Sequence, residues 1–189
     1  MSVKSLSNVI GIDDGPFDHD HRGDVPIVGA VFAGLRFDGV VVGRVRRDGV
    51  NSTSRIVSLI AGSRFREHLQ LVLLNGIALA GFNVVDVPRL HRELGLPVLV
   101  VSRRSPDLAA IRSTLLSRVP GGRRKWALIE PLGEMEAVDN VFVQRAGLSR
   151  EAANRVVVRF AVNGHVPEPL RVAHLIAGAV TTGESRGRA

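Results

Sequence analysis

Short apolar blocks alternate with polar punctuation along this chain, and their spacing changes from strand-like to helix-like at readable points. Val9-Ile10-Gly11-Ile12 runs into Asp13-Asp14 and a Gly15-Pro16 stop, predicting a buried first strand. Val25 to Phe37 predicts a long second strand, Phe37-Asp38-Gly39-Val40 an Asp-Gly hairpin turn, and Val40 to Val45 the return strand. Asn51-Ser52-Thr53-Ser54 supplies helix caps, and Ile56, Val57, Leu59 and Ile60 recur at helical spacing up to about Phe65. Leu69 to Leu74 is nearly all apolar, the pattern of a strand covered on both faces. Asp86-Val87-Pro88 opens a helix through Leu90 and Leu94 that Gly95 stops, and Pro97 to Val101 is another buried strand. Ser105-Pro106-Asp107 caps a helix with Leu108, Ile111, Leu115 and Leu116 at core spacing.

The resulting order is β-β-β-α-β-α-β-α. Three antiparallel strands followed by alternating helices and parallel strands predict an α/β protein with a mixed five-stranded sheet flanked by helices. That is the ribonuclease H-like arrangement. Residues 119–139 carry little periodicity: Pro120 to Lys125 predicts a basic loop, and Glu130, Glu134 and Glu136 a surface face. Val141-Phe142-Val143 is a candidate added strand, and Ser149 caps a helix to about Val162 that buries Ala153, Val156, Val157 and Phe160. A last helix from about Pro169 aligns Leu170, Ala173 and Ala177, with Arg171 and His174 three apart on a neighbouring stripe.

Composition narrows the class. The 189 residues predict a single domain, 1–189, with 45% hydrophobic content and a sizeable core. Absence of cysteine excludes disulfides, thiolate zinc sites and a cysteine nucleophile. No apolar run reaches the roughly 20 residues that span a bilayer, and the first residues lack a signal peptide's apolar centre, so a cytoplasmic protein without a membrane partner is expected. The net charge is +7, and every basic residue except Lys4 and Lys125 is arginine. Arginine pairs with phosphate in a bidentate fashion, so nucleic acid is the natural partner of such an excess. An arginine-rich composition alone gives the same balance.

Candidate chemistry gathers at the strand ends. Asp13 and Asp14 either cap a turn or hold a metal ion, and strand alternation lets only one point squarely into a given site. Asn75-Gly76 at the end of a buried strand, followed by Gly81-Phe82, stands where open α/β sheets place their sites. Asp48 is a turn residue or an acidic site member, and Asp86 a helix cap or a ligand. His174 is a core histidine with one satisfied nitrogen, or a ligand or acid/base group. Arg123, Arg124, Lys125 and Arg171 are candidate phosphate contacts, and residues 183–188 a basic tail that touches nucleic acid. Asp18-His19-Asp20-His21-Arg22-Gly23-Asp24 is a solvated loop or a metal patch.

Taken together, several stretches resemble the endonuclease dU family, archaeal relatives of endonuclease V. They are Gly11-Ile-Asp-Asp-Gly-Pro-Phe17, Asp48-Gly49 with Ser52-Thr53, Gly76-Ile77 with Gly81-Phe-Asn-Val-Val-Asp86, Gly95-Leu-Pro-Val98, and Pro167-Glu-Pro-Leu-Arg-Val-Ala-His174. The resemblance covers nearly the whole chain. It implies a ribonuclease H-like fold and Mg2+- or Mn2+-dependent cleavage of DNA at deoxyuridine, a product of cytosine deamination. Asp13 matches the first-strand metal ligand of endonuclease V, and His174 resembles that enzyme's late histidine. The carboxylate that endonuclease V carries at its fourth strand falls here on Asn75. Asp14, Asp48 or Asp86 replaces it, or the site binds metal weakly. Two other readings follow: a nucleic-acid-binding protein that has lost catalysis, and a ribonuclease acting on modified RNA. Base extrusion often uses an aromatic wedge, for which Phe17 and Phe82 are the candidates.

Overall fold

The apolar blocks assemble into a seven-stranded mixed sheet in the computed structural model, which describes residues 6–185. Its strands are β1 (Asn8–Asp14), β2 (Asp24–Ala33), β3 (Arg36–Arg46), β4 (Leu71–Asn75), β7 (Val98–Ser102), β8 (Glu136–Val138) and β9 (Val141–Ala146), in the spatial order β3-β2-β1-β4-β7-β9-β8. A separate two-stranded ladder joins β5 (Ala78–Leu79) to β6 (Asn83–Val84). The helices are α1 (Ser52–Ala61), α2 (Val87–Leu94), α3 (Leu108–Arg118), α4 (Gly122–Ile129), α5 (Arg150–Phe160) and α6 (Glu168–Thr182).

Strand alternation divides the core into two layers. Ile10, Ile12, Val72, Leu74, Val98 and Val100 face α1 and α2 through Ile56, Ile60, Leu90 and Leu94. Val9, Leu71, Leu73, Leu99 and Val101 face α5 and α6 through Val157, Phe160, Leu170 and Ala173. β4 is therefore apolar at consecutive positions because both of its faces are covered. It lies parallel to β1 and β7, while β2 and β9 run antiparallel to their neighbours β1 and β7.

The expected five-strand sheet is present and is extended by the β8–β9 hairpin, the larger form of the strand expected at Val141–Val143. Other departures have local causes. The β2–β3 turn lies at Gly34-Leu35, not at Asp38-Gly39, because Ala33 pairs with Arg36. Asp38 is instead the extra residue of a bulge where the register shifts beside Val31 and Phe32. The expected basic loop is largely helical: Gly122 to Lys125 form the first turn of α4, which buries Lys125 and Ile129. α1 stops at Ala61, short of Phe65. Arg186 to Arg188 of the expected basic tail lie outside the described residues.

Gly11 fixes how α6 meets the sheet. A Cβ there would lie 2.4 Å from the Pro169 carbonyl carbon and 2.7 Å from the Leu170 nitrogen, so the helix backbone rests directly on β1. From that contact, two residues along β1 span about 6.6 Å and lead to Asp13. Four residues along α6 from Leu170 span about 6 Å and lead to His174. A close backbone contact thus sets these two side chains level.

Candidate active site

The parallel register sets Ile12 beside Leu74, so the next residues, Asp13 and Asn75, emerge together at the carboxyl ends of β1 and β4. Asp13 is 4% exposed and its carboxylate accepts three hydrogen bonds. Asn75 Nδ2 and His174 Nδ1 each donate to Oδ2 at 2.9 Å, and the Asp14 amide donates to Oδ1 at 2.9 Å. A buried carboxylate is stable only with such partners. The same bonds orient the site: Nδ1 of His174 carries the proton toward Asp13, leaving Nε2 as the ring nitrogen that Asp13 does not engage. The hydrogen bond that His174 donates to Asp13 holds the His174 pKa above its ordinary value and favours the imidazolium.

Asp14 is the second acidic member. Both aspartates line one cleft of about 530 Å³, together with Gly15, Pro16, Phe17, Asn75 and His174. Alternation does not separate the two here, because Asp14 is the last residue of β1 and the cleft opens at the end of that strand. Asp14 Oδ2 accepts from the Ala80 amide at 3.0 Å. Burial, and then the neighbouring charge of Asp13, raise its pKa to about 6. Phe17 also lines the cleft, and the Arg47 guanidinium covers its ring at 5.3 Å.

The raised pKa carries a stability prediction. The fold holds the Asp14 proton more tightly than the unfolded chain, so its stabilising effect is present below about pH 3.8 and is lost as pH rises through about 6. Asp14→Asn keeps an acceptor for the Ala80 amide and removes the charge. It is expected to stabilise the metal-free protein by roughly 1–3 kcal/mol at pH 8, a gain that disappears by pH 4; urea melts at the two pH values measure it. An equal effect at both values would mean that Asp14 is not held in this way.

Asp48 and Asp86 do not line the cleft. Asp86 caps α2: its Oδ1 accepts from the Arg89 amide at 3.0 Å, and its own amide donates to Thr53 Oγ1. Asp86 thus fills the capping role, at the start of α2 and outside the cleft. Asp48 clasps the loop that follows β4. Its Oδ1 accepts from the Phe82 amide at 2.8 Å, its Oδ2 lies 3.2 Å from Arg47, and its amide donates to the Ala80 carbonyl. Gly81 must be glycine beneath it, since a Cβ would lie 2.4 Å from Asp48 Oδ1. Two backbone amides of the 76–82 stretch, those of Ala80 and Phe82, are thus engaged by Asp14 and Asp48.

Among the other expected contacts, Lys125 is 3% exposed and its Nζ donates to the Asp48 carbonyl, so it supports the loop from within. Arg171 forms a two-pronged pair with Glu168 on α6 and lowers the pKa of that carboxyl. Phe82 packs into a small cluster with Val84, Leu115 and Ile129. Arg123 and Arg124 are exposed on α4. Gly76 lines a second cleft that adjoins the first at Asn75. The Asp18–Asp24 loop is mostly exposed, and Arg47 donates to its His21 carbonyl.

Sequence reasoning missed the network behind the site. Asn51 makes no side-chain cap; its Oδ1 accepts from Arg46 and from Asn83 Nδ2. Buried Asn83 accepts from the Ser52 amide, and Ser52 Oγ donates to the Val84 carbonyl. These polar residues tie the start of α1 to β6, with Ser52 and Asn83 buried, an arrangement that the Ser-Thr pattern alone resembles only as a cap.

Among the described residues, no three His, Asp or Glu side chains converge as a metal-binding group. The side-chain oxygens lining the cleft come from two carboxylates, the Asn75 amide and the Thr182 hydroxyl. This oxygen set fits Mg2+ or Mn2+, because Mg2+ commonly takes one or two carboxylates and completes its shell with water and substrate phosphate. The like-charge cost visible in Asp14 is what a cation would relieve.

A UPF0215 protein of Deinococcus radiodurans is 57% identical over 183 residues, spanning 97% of this chain and 93% of that protein. A crystal structure from Archaeoglobus fulgidus, described as a protein of unknown function, superposes with a TM-score of 0.85 at 34% identity, covering 92% of this chain and 97% of that one. Ciona intestinalis endonuclease V, solved with a 24mer DNA containing an inosine followed by a ribo-adenosine, superposes with a TM-score of 0.58 at 14% identity, covering 91% and 84%. That likeness identifies the fold as ribonuclease H-like. The family model described as endonuclease dU matches residues 5–181. With that match over nearly the whole length and close relatives named UPF0215, the chain belongs to the endonuclease dU family.

Proposed function

We propose that this protein is a divalent-metal-dependent endonuclease that hydrolyses a phosphodiester bond in DNA at or near deoxyuridine. The observation that carries the reading is buried Asp13, held by Asn75 and His174 beside a second carboxylate in an accessible cleft. Membership of the endonuclease dU family supports nuclease chemistry and the choice of base.

Asp13 and Asp14, with the Asn75 amide oxygen, are the residues that would hold Mg2+ or Mn2+. Bound there, the ion supplies a water of lowered pKa and stabilises charge on the reacting oxygens. Asp13 also sets the tautomer and tilt of His174. With its pKa raised, His174 suits proton donation to the departing oxygen better than proton removal from water. Asn75 donates its amide hydrogen to Asp13, which leaves its oxygen for the cleft and keeps that wall neutral. His174→Gln is expected to lower kcat by roughly 10²-fold with little change in substrate affinity. Rates measured at saturating substrate test this, and an unchanged kcat would remove His174 from the reaction.

The test of substrate class uses end-labelled duplexes bearing one deoxyuridine, one deoxyinosine or neither, and an RNA strand of the same sequence. Each is incubated with Mg2+, Mn2+ or chelator. Metal-dependent nicking confined to the deoxyuridine duplex supports the proposal. Preferential cutting of RNA would favour the ribonuclease reading, and binding without cutting in any metal would favour a protein that has lost catalysis.

A further inference from the structure

The second cleft, of about 620 Å³, is lined by Asn75 at the end of β4 and Gly76 just past it, Arg103 and Arg104 after β7, Asn140 in the β8–β9 turn, and His165 ahead of α6. Asn75 is the wall it shares with the first cleft. No Asp or Glu lines it, whereas Asp13 and Asp14 line the first. The molecule therefore carries an acidic cleft and a basic one, separated by a neutral amide.

The basic side has the features of a track for a repeating anion. Arg103, Arg104, Asn140 and His165 are all exposed and come from three separate segments of chain. Spread, solvated donors of this kind suit a chain of phosphates, where each contact releases counterions. His165 and Asn140, whose amide also donates to the neighbouring Asp139 carboxylate, add hydrogen-bond capacity for phosphate or sugar oxygens.

We infer that the Arg104–Asn140–His165 cleft is a second binding site, which grips the phosphodiester backbone of a nucleic-acid strand adjacent to the bond held at Asp13. The position of the reacting bond rests on the proposed function; the grip itself does not. Backbone contacts position a strand without reading its bases, so the site adds affinity without base preference.

The test is fluorescence anisotropy in chelator, with labelled single-stranded DNA, its duplex and RNA of the same sequence, across a salt series. The proteins are wild type, Arg104→Ala, Arg104→Glu, and Arg92→Ala as a charge-matched control. Arg92 is exposed on α2, near the amino-terminal end of β7 and away from the cleft. Arg104→Ala is expected to weaken binding about threefold to tenfold on every base sequence and to reduce the magnitude of the single-strand salt slope by about 0.7. Arg104→Glu should weaken it further, Arg92→Ala should match wild type, and in cleavage assays KM should rise at constant kcat. Preference for DNA or RNA among the three probes tells which strand the groove carries.

Wild-type affinity and slope in both Arg104 variants would overturn the inference, as would an equal loss in Arg92→Ala or a wild type that binds no strand. Arg104-dependent binding by a protein that never cleaves would uphold the groove and sink the nuclease reading. Cleavage that is indifferent to Arg104 would do the reverse.

Discussion

Asp13→Asn is expected to lower metal-dependent cleavage by about 10³-fold or more while leaving the protein folded. Asparagine preserves the volume at the end of β1 and can still accept from Asn75 or His174 through its one oxygen. It removes the charge that would hold a divalent ion and that stabilises the His174 imidazolium. A 10³-fold loss corresponds to about 4 kcal/mol of transition-state stabilisation, the order that loss of a metal ligand produces. Nucleic-acid affinity measured in chelator should change little. A variant with wild-type cleavage would show that the reaction is carried elsewhere.

Gly11→Ala is expected to unseat α6 from the sheet. The added methyl meets the Pro169 and Leu170 backbone at 2.4–2.7 Å, and a helix backbone cannot move aside as a side-chain tip can. Overpacking of this kind costs about 1–3 kcal/mol or more, so Tm should fall by roughly 5–10 °C for a protein of this length. The sharper consequence is functional. A displaced α6 carries His174 away from Asp13, so activity should fall even below the melting transition. Calorimetry with activity at a low temperature separates the two effects. A variant with normal Tm and rate would contradict the account of how α6 is seated.

The parts of the fold that the sequence made legible are those whose cause is local. β1, β4 and β7 are short apolar blocks, and the caps of α2, α3 and α5 are Asp86, Asp107 and Ser149, as the sequence suggested. The Asp38-Gly39 pair was misleading because Asp-Gly serves a bulge as readily as a turn, while the actual turn at Gly34-Leu35 carries no comparable pair. α4 stayed hidden because its first turn is Gly-Arg-Arg-Lys, whose inward-facing lysine spends its charge on a carbonyl 77 residues away.

For the site, Asp13, Asn75 and His174 stood out singly, yet their contact spans 62 and 161 residues and emerges only from the parallel register and the Gly11 contact. Asp48 and Asp86 show the opposite case. Acidic residues at loops suit several jobs, and only the amides of Phe82 and Arg89 reveal which one each performs. The basic cleft at Arg104 left no local signal either, because its walls come from segments far apart in the chain.

The measurement that bears most directly on the central claim is nicking of a duplex with a single deoxyuridine, as Mg2+ is titrated, by wild type and Asp13→Asn side by side. The account predicts a cut at or near the deoxyuridine that saturates with Mg2+ in wild type, vanishes in chelator and is lost in the variant. Cleavage that persists in chelator, or that Asp13→Asn performs at the wild-type rate, would contradict it.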